Sequence, residues 1–400
     1  MHENPARWVY AEHASATEAK RRAAIEKKID AWWKAFEGKT DQIGKLFLRK
    51  AEWDLPAWMD KHLQCLDQRI MWEYGPALSG EGHRLVITPE STRHLRPLTD
   101  AILARAPSIP GWEFYPYRPP EDLEMAQMSV QGRTGGDLSD LLVQASIGEH
   151  HRIDLTYFSP RAEEEGDEQT MSDAFVATET LLGEERLDKW VGAISAAPAP
   201  DGRKKKGMVT LDKLRERVDA LVHQVRDQAP AKPLFKTAGD ATWTLFKLEP
   251  EQDEEYACQF DLFVASAVDQ DLWIACHSNT SFHSERFSKH GETFCYLKLD
   301  GSQGLDEEKF ADKAEIEDAL DAVLKPAKLG CHIGGGTGLR YSYIDLALTD
   351  VKKGIDAVVK RLREGTVPKR SWIQFFDDYL AAEWVGIYDD SPPPPMPLWE

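Results

Sequence analysis

The sequence predicts an α+β protein in which a helical N-terminal segment precedes two α/β sandwich-like units. Residues 25–36 place apolar side chains at three- and four-residue spacing, which is typical of a helix with one buried face. Residues 84–118 and 341–376 each start with a β-branched or Leu/Ile-rich strand, continue through a capped helix and end in a Trp-led aromatic strand. The chain has 400 residues, of which 42% are hydrophobic, so it can bury a core without disulfides.

The N-terminal segment, residues 1–76, is predicted to be helical. Ser15 and Glu18 fit a capping box, in which a hydroxyl and a carboxylate satisfy the free amides at a helix start. A second helical stretch over residues 58–70 is expected to end at the Gly-Pro pair 75–76.

The first α+β unit is assigned to residues 77–195. Its last part, residues 161–189, is acidic, with ten carboxylates and three basic side chains. Apolar residues embedded in this stretch predict helices there, not a disordered tail. Strands are predicted at 84–88, 112–117, 141–145 and 153–158, with a helix at 95–103.

Residues 196–235 are predicted to form a linker followed by an amphipathic helix. The basic run 203–206 follows an Ala/Pro-rich stretch and has no interleaved aromatic residues, so a solvated linker is favoured over a nucleic-acid site. Apolar residues at three- and four-residue spacing over 211–225 predict the helix.

The second α+β unit is assigned to residues 236–390, and residues 391–400 form a proline-rich tail that is predicted to be extended. The parallel between the two strand–helix–strand stretches leaves two interpretations open, a ferredoxin-like duplication or two unrelated βαβ-type units. Strands are predicted at 260–265, 272–276, 293–299, 341–348, 372–376 and 383–388, with helices at 310–324 and 350–362.

The charge of the chain restricts its partners. Sixty-eight acidic and 49 basic residues give a formal net charge of −19, which repels nucleic acid and anionic lipid and favours a basic protein surface. The first residues lack a basic and then apolar leader, and no apolar run is long enough to cross a bilayer. Five cysteines do not make a disulfide framework. These features predict a cytoplasmic protein.

A glycine-rich run is the first candidate ligand site. A phosphate loop follows a strand and leads into a helix, whereas this run precedes the predicted strand 341–348 and is not followed by Lys-Ser or Lys-Thr. The sequence favours a flexible connection between strands, and a ligand-covering loop is the intermediate interpretation. The run consists of Gly334, Gly335, Gly336, Thr337 and Gly338.

A group of cysteines and histidines is the second candidate site. Zinc sites use two close pairs of ligands, but the adjacent pairs here would point to opposite faces of a strand, and no C-x-x-C or H-E-x-x-H motif is present. No metal or other cofactor is therefore expected, and no catalytic residue is assigned. The group consists of Cys276, His277, His283, His290, Cys295, Cys331 and His332.

Aromatic and acidic residues are the third candidate site. Trp32 and Trp33 are adjacent, so both cannot lie fully on one narrow apolar stripe, and one of them is expected to face a neighbouring domain or a partner. The acidic residues expected to bind are Glu163, Glu164, Glu165, Asp167 and Glu168.

Five short segments of the sequence stand out: RLVITPE at 84–90, PGWEF at 110–114, YIDL at 343–346, SWIQFF at 371–376 and EWVG at 383–386. Together they resemble uncharacterised bacterial cytosolic proteins of unknown function. The resemblance implies a bacterial intracellular protein and carries over no activity and no functional residue.

The leading hypothesis is a non-enzymatic acidic protein that binds a basic or amphipathic protein partner, as an immunity or inhibitor protein would. The alternative is a small-molecule enzyme, hydrolase-like, with its site near Gly334–Gly338 and the Cys/His group. Oligomeric state is left open by the sequence.

Overall fold

The computed structural model describes residues 6–50, 52–162, 164, 166–199, 207–250, 253, 255–302, 305 and 309–397. The chain divides into two compact units. Unit 1 comprises Met1–Ile29, Arg93–Ala101 and Pro230–Glu400, and unit 2 comprises Asp30–Thr92 and Ile102–Ala229. Each unit therefore combines separated chain segments, whereas the domain boundaries predicted from the sequence are consecutive and stay a prediction.

The elements in the described residues confirm the α+β class. The helices are α1 (Ala16–Glu37), α2 (Thr40–Phe47), α3 (Leu55–Met59), α4 (Arg96–Ala104), α5 (Leu123–Arg133), α6 (Glu168–Leu182), α7 (Glu184–Trp190), α8 (Leu214–Gln228), α9 (Gln270–Cys276), α10 (Lys313–Ala327) and α11 (Val351–Glu364). The strands are β1 (Met71–Pro76), β2 (His83–Thr88), β3 (Trp112–Tyr115), β4 (Leu142–Ile147), β5 (Ile153–Ser159), β6 (Val191–Pro198), β7 (Met208–Thr210), β8 (Thr244–Lys247), β9 (Leu262–Ala267), β10 (Thr293–Asp300), β11 (Gly330–Gly338), β12 (Tyr341–Leu348), β13 (Ser371–Phe375) and β14 (Trp384–Gly386). No helix in these residues is long and apolar enough to span a membrane.

Unit 2 contains two small sheets. One has the order β1-β2-β3, and the other has the order β6-β5-β4-β7. In the second sheet β5 and β6 are parallel neighbours, so the chain between them must cross over, and it does so through α6 and α7. The apolar faces of α5, α6 and α8 and of this sheet contribute to one core.

Unit 1 contains a seven-stranded sheet in the order β14-β13-β10-β12-β11-β9-β8. Its middle follows the path β10-α10-β11-β12-α11-β13 with neighbours in the order β13-β10-β12-β11, all antiparallel. This is a ferredoxin-like arrangement. A duplication is not confirmed, because the four-stranded sheet of unit 2 has a different strand order.

The two faces of the seven-stranded sheet differ in composition. Alternate residues such as Leu297, Ile344 and Ile373 form a core with α10 and α11. Their neighbours on the other face are mostly aromatic, among them Tyr296, Tyr341, Tyr343, Trp372 and Trp384. We call this second side the aromatic face.

The first described residues pack on the edge of the same sheet. Arg7 Nη1 donates to the Trp384 carbonyl at 2.7 Å, and its guanidinium lies 3.6 Å from the centre of the Trp384 ring. The Glu383 carboxylate accepts backbone hydrogen bonds from Trp8 and Tyr10, and the Tyr10 ring stacks on Phe375 at 4.7 Å. Residues 7–10 are thus held by residues 375–384.

Four local predictions are wrong. Residues 272–276 are helical and not a strand, because the Asp269 side chain accepts from Leu272 N and caps α9. Gly334–Gly338 is part of strand β11 and not a loop. Residues 71–76 form β1 and not the end of a helix, and β6 extends through the start of the predicted linker. The basic run 203–206 lies outside the described residues.

Candidate functional site

Trp32 and Trp33 are both buried in the structure. Trp33 Nε1 donates to the Ile102 carbonyl at 2.7 Å, and its ring meets Phe114 edge-on. The Trp32 ring packs against Trp58 with centroids 5.3 Å apart. Two adjacent helical residues can both be buried here because α1 is covered on more than one side. The pair therefore does not offer an exposed binding surface.

The acidic residues proposed for binding have three different outcomes. Glu163 and Glu165 lie outside the described residues. Asp167 caps α6, because its carboxylate accepts from Thr170 N at 2.8 Å, and this bonding lowers the pKa of Asp167. Glu164 and Glu168 are exposed.

Other acids of the stretch 161–189 have structural partners. Asp173 is buried and accepts from Thr134 Oγ1 at 2.5 Å. Glu184 is buried and accepts from Arg118 N at 3.0 Å. Glu179 accepts from the guanidinium groups of Arg118 and Arg133, each at 2.6 Å. These acids support the fold. The exposed carboxylates in the described part of the stretch are Glu164, Glu168 and Glu185, and the last of these pairs with Lys189.

Helix α5 packs against α6 in the opposite direction. At one end Glu121 N donates to the Thr180 carbonyl at 2.8 Å. At the other end Gln169 Nε2 lies 3.4 Å from the Thr134 carbonyl. These two contacts place Met128, in the middle of α5, level with Phe175 of α6.

Large apolar side chains are exposed along this helix pair. Met128 is 60% exposed and Phe175 is 49% exposed. Phe175 and Met171 line a shallow open depression with Arg133 and Thr134. Glu124 on α5 and Glu168 on α6 are exposed beside these residues in sequence. We call this region the α5–α6 surface, and it comprises Glu124, Met125, Met128, Glu168, Met171 and Phe175.

The sequence carries one signal for this surface. On α6, Glu168, Ser172 and Phe175 recur at helical spacing and form one exposed stripe. Sequence reasoning identifies Phe175 only as an apolar helix residue. Met171 and Glu179 lie four residues before and four residues after Phe175. These residue types do not show whether Phe175 is exposed or buried in a core.

The glycine run allows strand β11 to pack closely against its neighbouring strands. A Cβ at Gly335 would lie 2.9 Å from Ile344 Cα, and its φ of +142° disfavours other residues. A Cβ at Gly336 or Gly338 would collide with Val264 or Asp261. The run therefore lets β9 and β12 approach β11, and no exposed amide loop for a phosphate is formed.

The cysteines and histidines show no activated nucleophile among the residues that the structure describes. Burial raises the pKa of the Cys331 thiol to about 12, and it raises the pKa values of Cys276 and Cys295 as well. A thiol is nucleophilic as the thiolate, so these pKa directions disfavour catalysis. In the described residues no three His, Cys, Asp or Glu side chains are grouped to hold a metal ion. The hydrolase-like alternative stays a prediction without support from these thiols.

The most enzyme-like constellation is a buried polar chain beneath the aromatic face. Asp345 Oδ1 accepts from Gln259 Nε2 at 3.0 Å, and Gln259 Oε1 lies 2.8 Å from His277 Nε2. Burial raises the pKa of Asp345 to about 7. The adjoining cavity, lined by Asp345, Trp273 and Cys276 among others, measures about 10 Å³. That volume fits about one water molecule and excludes a substrate.

Comparisons of the chain with protein-family models, with curated proteins and with solved structures gave no match. Function is therefore inferred from the geometry of this chain alone.

Proposed function

We propose that this chain is a non-enzymatic binding protein whose α5–α6 surface holds a basic amphipathic helix of a protein partner. The observation that supports this proposal is the exposure of Phe175 and Met128 next to the exposed carboxylates Glu124 and Glu168. A partner helix with one apolar face and flanking Lys or Arg residues complements both features. An immunity or inhibitor protein that neutralises a basic target in the cytoplasm is the biological class we favour.

The apolar residues are proposed to supply most of the affinity. Methionine is unbranched and adapts to different side chains, so Met125, Met128 and Met171 suit a helix surface of variable sequence. An aromatic side chain such as Phe175 buries a large area when it enters an interface.

The carboxylates are proposed to speed association and to select partners that carry positive charge. The formal net charge of −19 attracts a basic target over several ångströms, and this attraction weakens as salt is added. Glu124 and Glu168 then lie at the rim, where charged groups mainly affect the association rate.

A designed peptide tests this proposal. The probe is a helix of about five turns with Leu on one face and Lys on the other, compared with a shuffled peptide of the same composition. We expect the amphipathic peptide to bind at least about tenfold tighter than the shuffled one in fluorescence anisotropy, because only it matches the apolar surface. Phe175→Ser is expected to weaken its binding by about tenfold.

Matched variants separate the surface from general charge attraction. Phe260→Ser changes a similarly exposed phenylalanine of unit 1 and should leave binding unchanged. Glu168→Lys should slow association more than Glu149→Lys, which makes the same charge change at an exposed residue on the β4–β5 connection. Equal binding of both peptides, with no effect of Phe175→Ser, would show only non-specific attraction and would refute the proposal.

A further inference from the structure

We propose that a second binding site, on the aromatic face of unit 1, recognises proline-rich segments of partner proteins, and that residues 391–397 occupy it within the same chain. The site is built from Trp372, Gln374 and Trp384. It is independent of the α5–α6 surface.

The strand register places these three side chains in one corner of the aromatic face. Trp372 and Gln374 alternate with Ile373, whose side chain belongs to the opposite, helix-covered face. Trp384 on β14 is the cross-strand partner of Gln374. The corner therefore offers two indole rings with an amide between them.

Residues 391–397 already lie on this corner. Trp372 Nε1 donates to the Pro392 carbonyl at 2.5 Å. Pro394 is buried, and Met396 packs against the aromatic residues. Reciprocal hydrogen bonds of 3.1 Å between Ser391 and Tyr388 fix the start of the segment. An indole N–H that donates to a proline carbonyl beside aromatic rings is the chemistry by which aromatic grooves recognise proline-rich peptides.

The resident segment leaves part of the site unsatisfied. Gln374 is 4% exposed, and its Oε1 is buried without a hydrogen-bond partner in the described part of the chain. Its Nε2 lies 3.7 Å from the Met396 sulfur, a weak acceptor. A buried amide with such poor partners suits a ligand that presents a polar group at the position of Met396.

These observations specify the partner. It is an uncharged proline-rich stretch, because Trp372 needs a carbonyl that is held in an extended chain and the rings need apolar prolines. A hydrogen-bonding side chain four residues after the proline bonded to Trp372 would pair with Gln374. The resident segment then acts as an intramolecular competitor with a local concentration in the millimolar range.

The test uses the full-length chain with Pro392→Gly and Pro394→Gly, which weakens the resident segment without shortening the protein. The probe is a fluorescent peptide with the sequence of residues 391–399, which carries no charged side chain. We expect saturable binding to this variant that is about tenfold or more tighter than binding to the wild-type chain, because cis competition is reduced. A peptide carrying Met396→Gln should bind about fivefold tighter still, and a peptide with all prolines replaced by alanine should not bind.

Single-ring variants provide the controls. In the Pro392→Gly/Pro394→Gly background, Trp372→Phe should weaken peptide binding about fivefold, because it removes the indole donor and part of the ring surface. Trp243→Phe changes an indole that is 43% exposed and lies directly before β8, and it should have no effect.

Three results would overturn the inference. The first is no saturable binding by a variant that keeps the wild-type circular dichroism spectrum. The second is equal binding of the all-alanine peptide. The third is a wild-type dimer that the proline substitutions abolish, because it would assign the occupant to a second copy. If the variant does not fold, the wild-type chain is titrated to millimolar peptide and the Trp372 indole N–H is followed by NMR, and an unchanged signal would refute the site.

Discussion

The carboxyl group of Asp345 is joined to the ring of His277 through a single amide, that of Gln259. His277 Nδ1 lies 2.8 Å from the Trp273 carbonyl, and His277 Nε2 lies 2.8 Å from the oxygen of the Gln259 amide. The nitrogen of the same amide donates to Asp345 Oδ1 at 3.0 Å. Burial lowers the pKa of His277 to about 4 and raises the pKa of Asp345 to about 7, because the charged form of each group is disfavoured away from water. The neutral imidazole is therefore favoured at neutral pH, and the protonated carboxyl group is favoured below about pH 7.

Asp345 should make the stability of unit 1 fall as pH rises. Its pKa of about 7 lies above the ordinary value of 3.8, because burial disfavours the carboxylate. The folded state therefore binds the proton more tightly than the unfolded state, and stability is lost between about pH 4 and pH 7 and is constant above. Asp345→Asn should remove this loss and stabilise the protein at pH 8 by up to about 4 kcal/mol in urea unfolding.

Asp350→Asn is the control for this pH dependence. The pKa of Asp350 is lowered by its hydrogen bonds with Lys353, so its contribution to stability is present at neutral pH and is lost on acidification. The two variants should therefore move stability at pH 8 in opposite directions. An equal effect of Asp345→Asn at pH 4 and pH 8 would contradict the assigned protonation.

Trp33→Phe should be more destabilising than Trp32→Phe. Both side chains are buried on α1, but Trp33 donates to the Ile102 carbonyl at 2.7 Å, whereas Trp32 Nε1 has no hydrogen-bond partner among the described residues. Removing the Trp33 donor loses this buried hydrogen bond, while the Ile102 carbonyl keeps the bond from Arg105 N at 3.2 Å, so the extra cost is about 0.5–1.5 kcal/mol. Urea unfolding of the two variants measures this difference. Equal losses of unfolding free energy would show that the hydrogen bond of Trp33 adds nothing and that side-chain packing accounts for both effects.

Gly335→Ala should destabilise strand β11 by about 2 kcal/mol or more. The φ of +142° and the close approach of Ile344 leave no room for a methyl group. Gly132→Ala on α5 is the matched control, because its added methyl group would meet nothing within 4 Å and alanine favours a helix by about 0.5–1 kcal/mol. Thermal unfolding should thus shift in opposite directions. If Gly335→Ala left the stability unchanged, the glycine run would be better described as a flexible loop.

One thiol should react quickly with a disulfide reagent in the folded protein. Cys65 is exposed, whereas burial raises the pKa values of the other four thiols and keeps them protonated at neutral pH. These four are Cys258, Cys276, Cys295 and Cys331. Stopped-flow absorbance should show a fast phase that Cys65→Ser removes, followed by slow labelling that tracks unfolding. Fast labelling of Cys331 or Cys276 in the folded state would instead revive the hydrolase-like alternative.

The amphipathic helices and strands could be predicted from the sequence, because the apolar residues of each one recur at the spacing of a helix or of a strand. The helices α10 and α11 and the strands β10 and β12 follow clear three- to four-residue or alternating patterns. The run 272–276 is apolar at every position, and periodicity cannot separate a buried helix from a strand there. Strand β11 was missed because glycine has low strand propensity, and only the close approach of neighbouring strands explains its use.

The sequence predicted the negative charge of the candidate surface but not which of its side chains are exposed. The acidic stretch 161–189 was located from composition, but composition does not show that Asp173 and Glu184 are buried while Glu168 is exposed. The exposure of Phe175 depends on how α5 lies beside α6, which no local pattern encodes. The docking of residues 391–397 depends on Trp372 and Trp384, whose places in the sheet follow from strand order.

The bond between Arg7 and Trp384 links residues that are 377 positions apart. At about 5–20 residues per second, the ribosome adds Trp384 about 20–75 s after Arg7. Residues 7–10 therefore emerge long before the sheet edge that receives them exists. The ferredoxin-like arrangement of unit 1 is completed only after β13, which ends at Phe375, has been made, whereas both segments of unit 2 are available once Ala229 has been added.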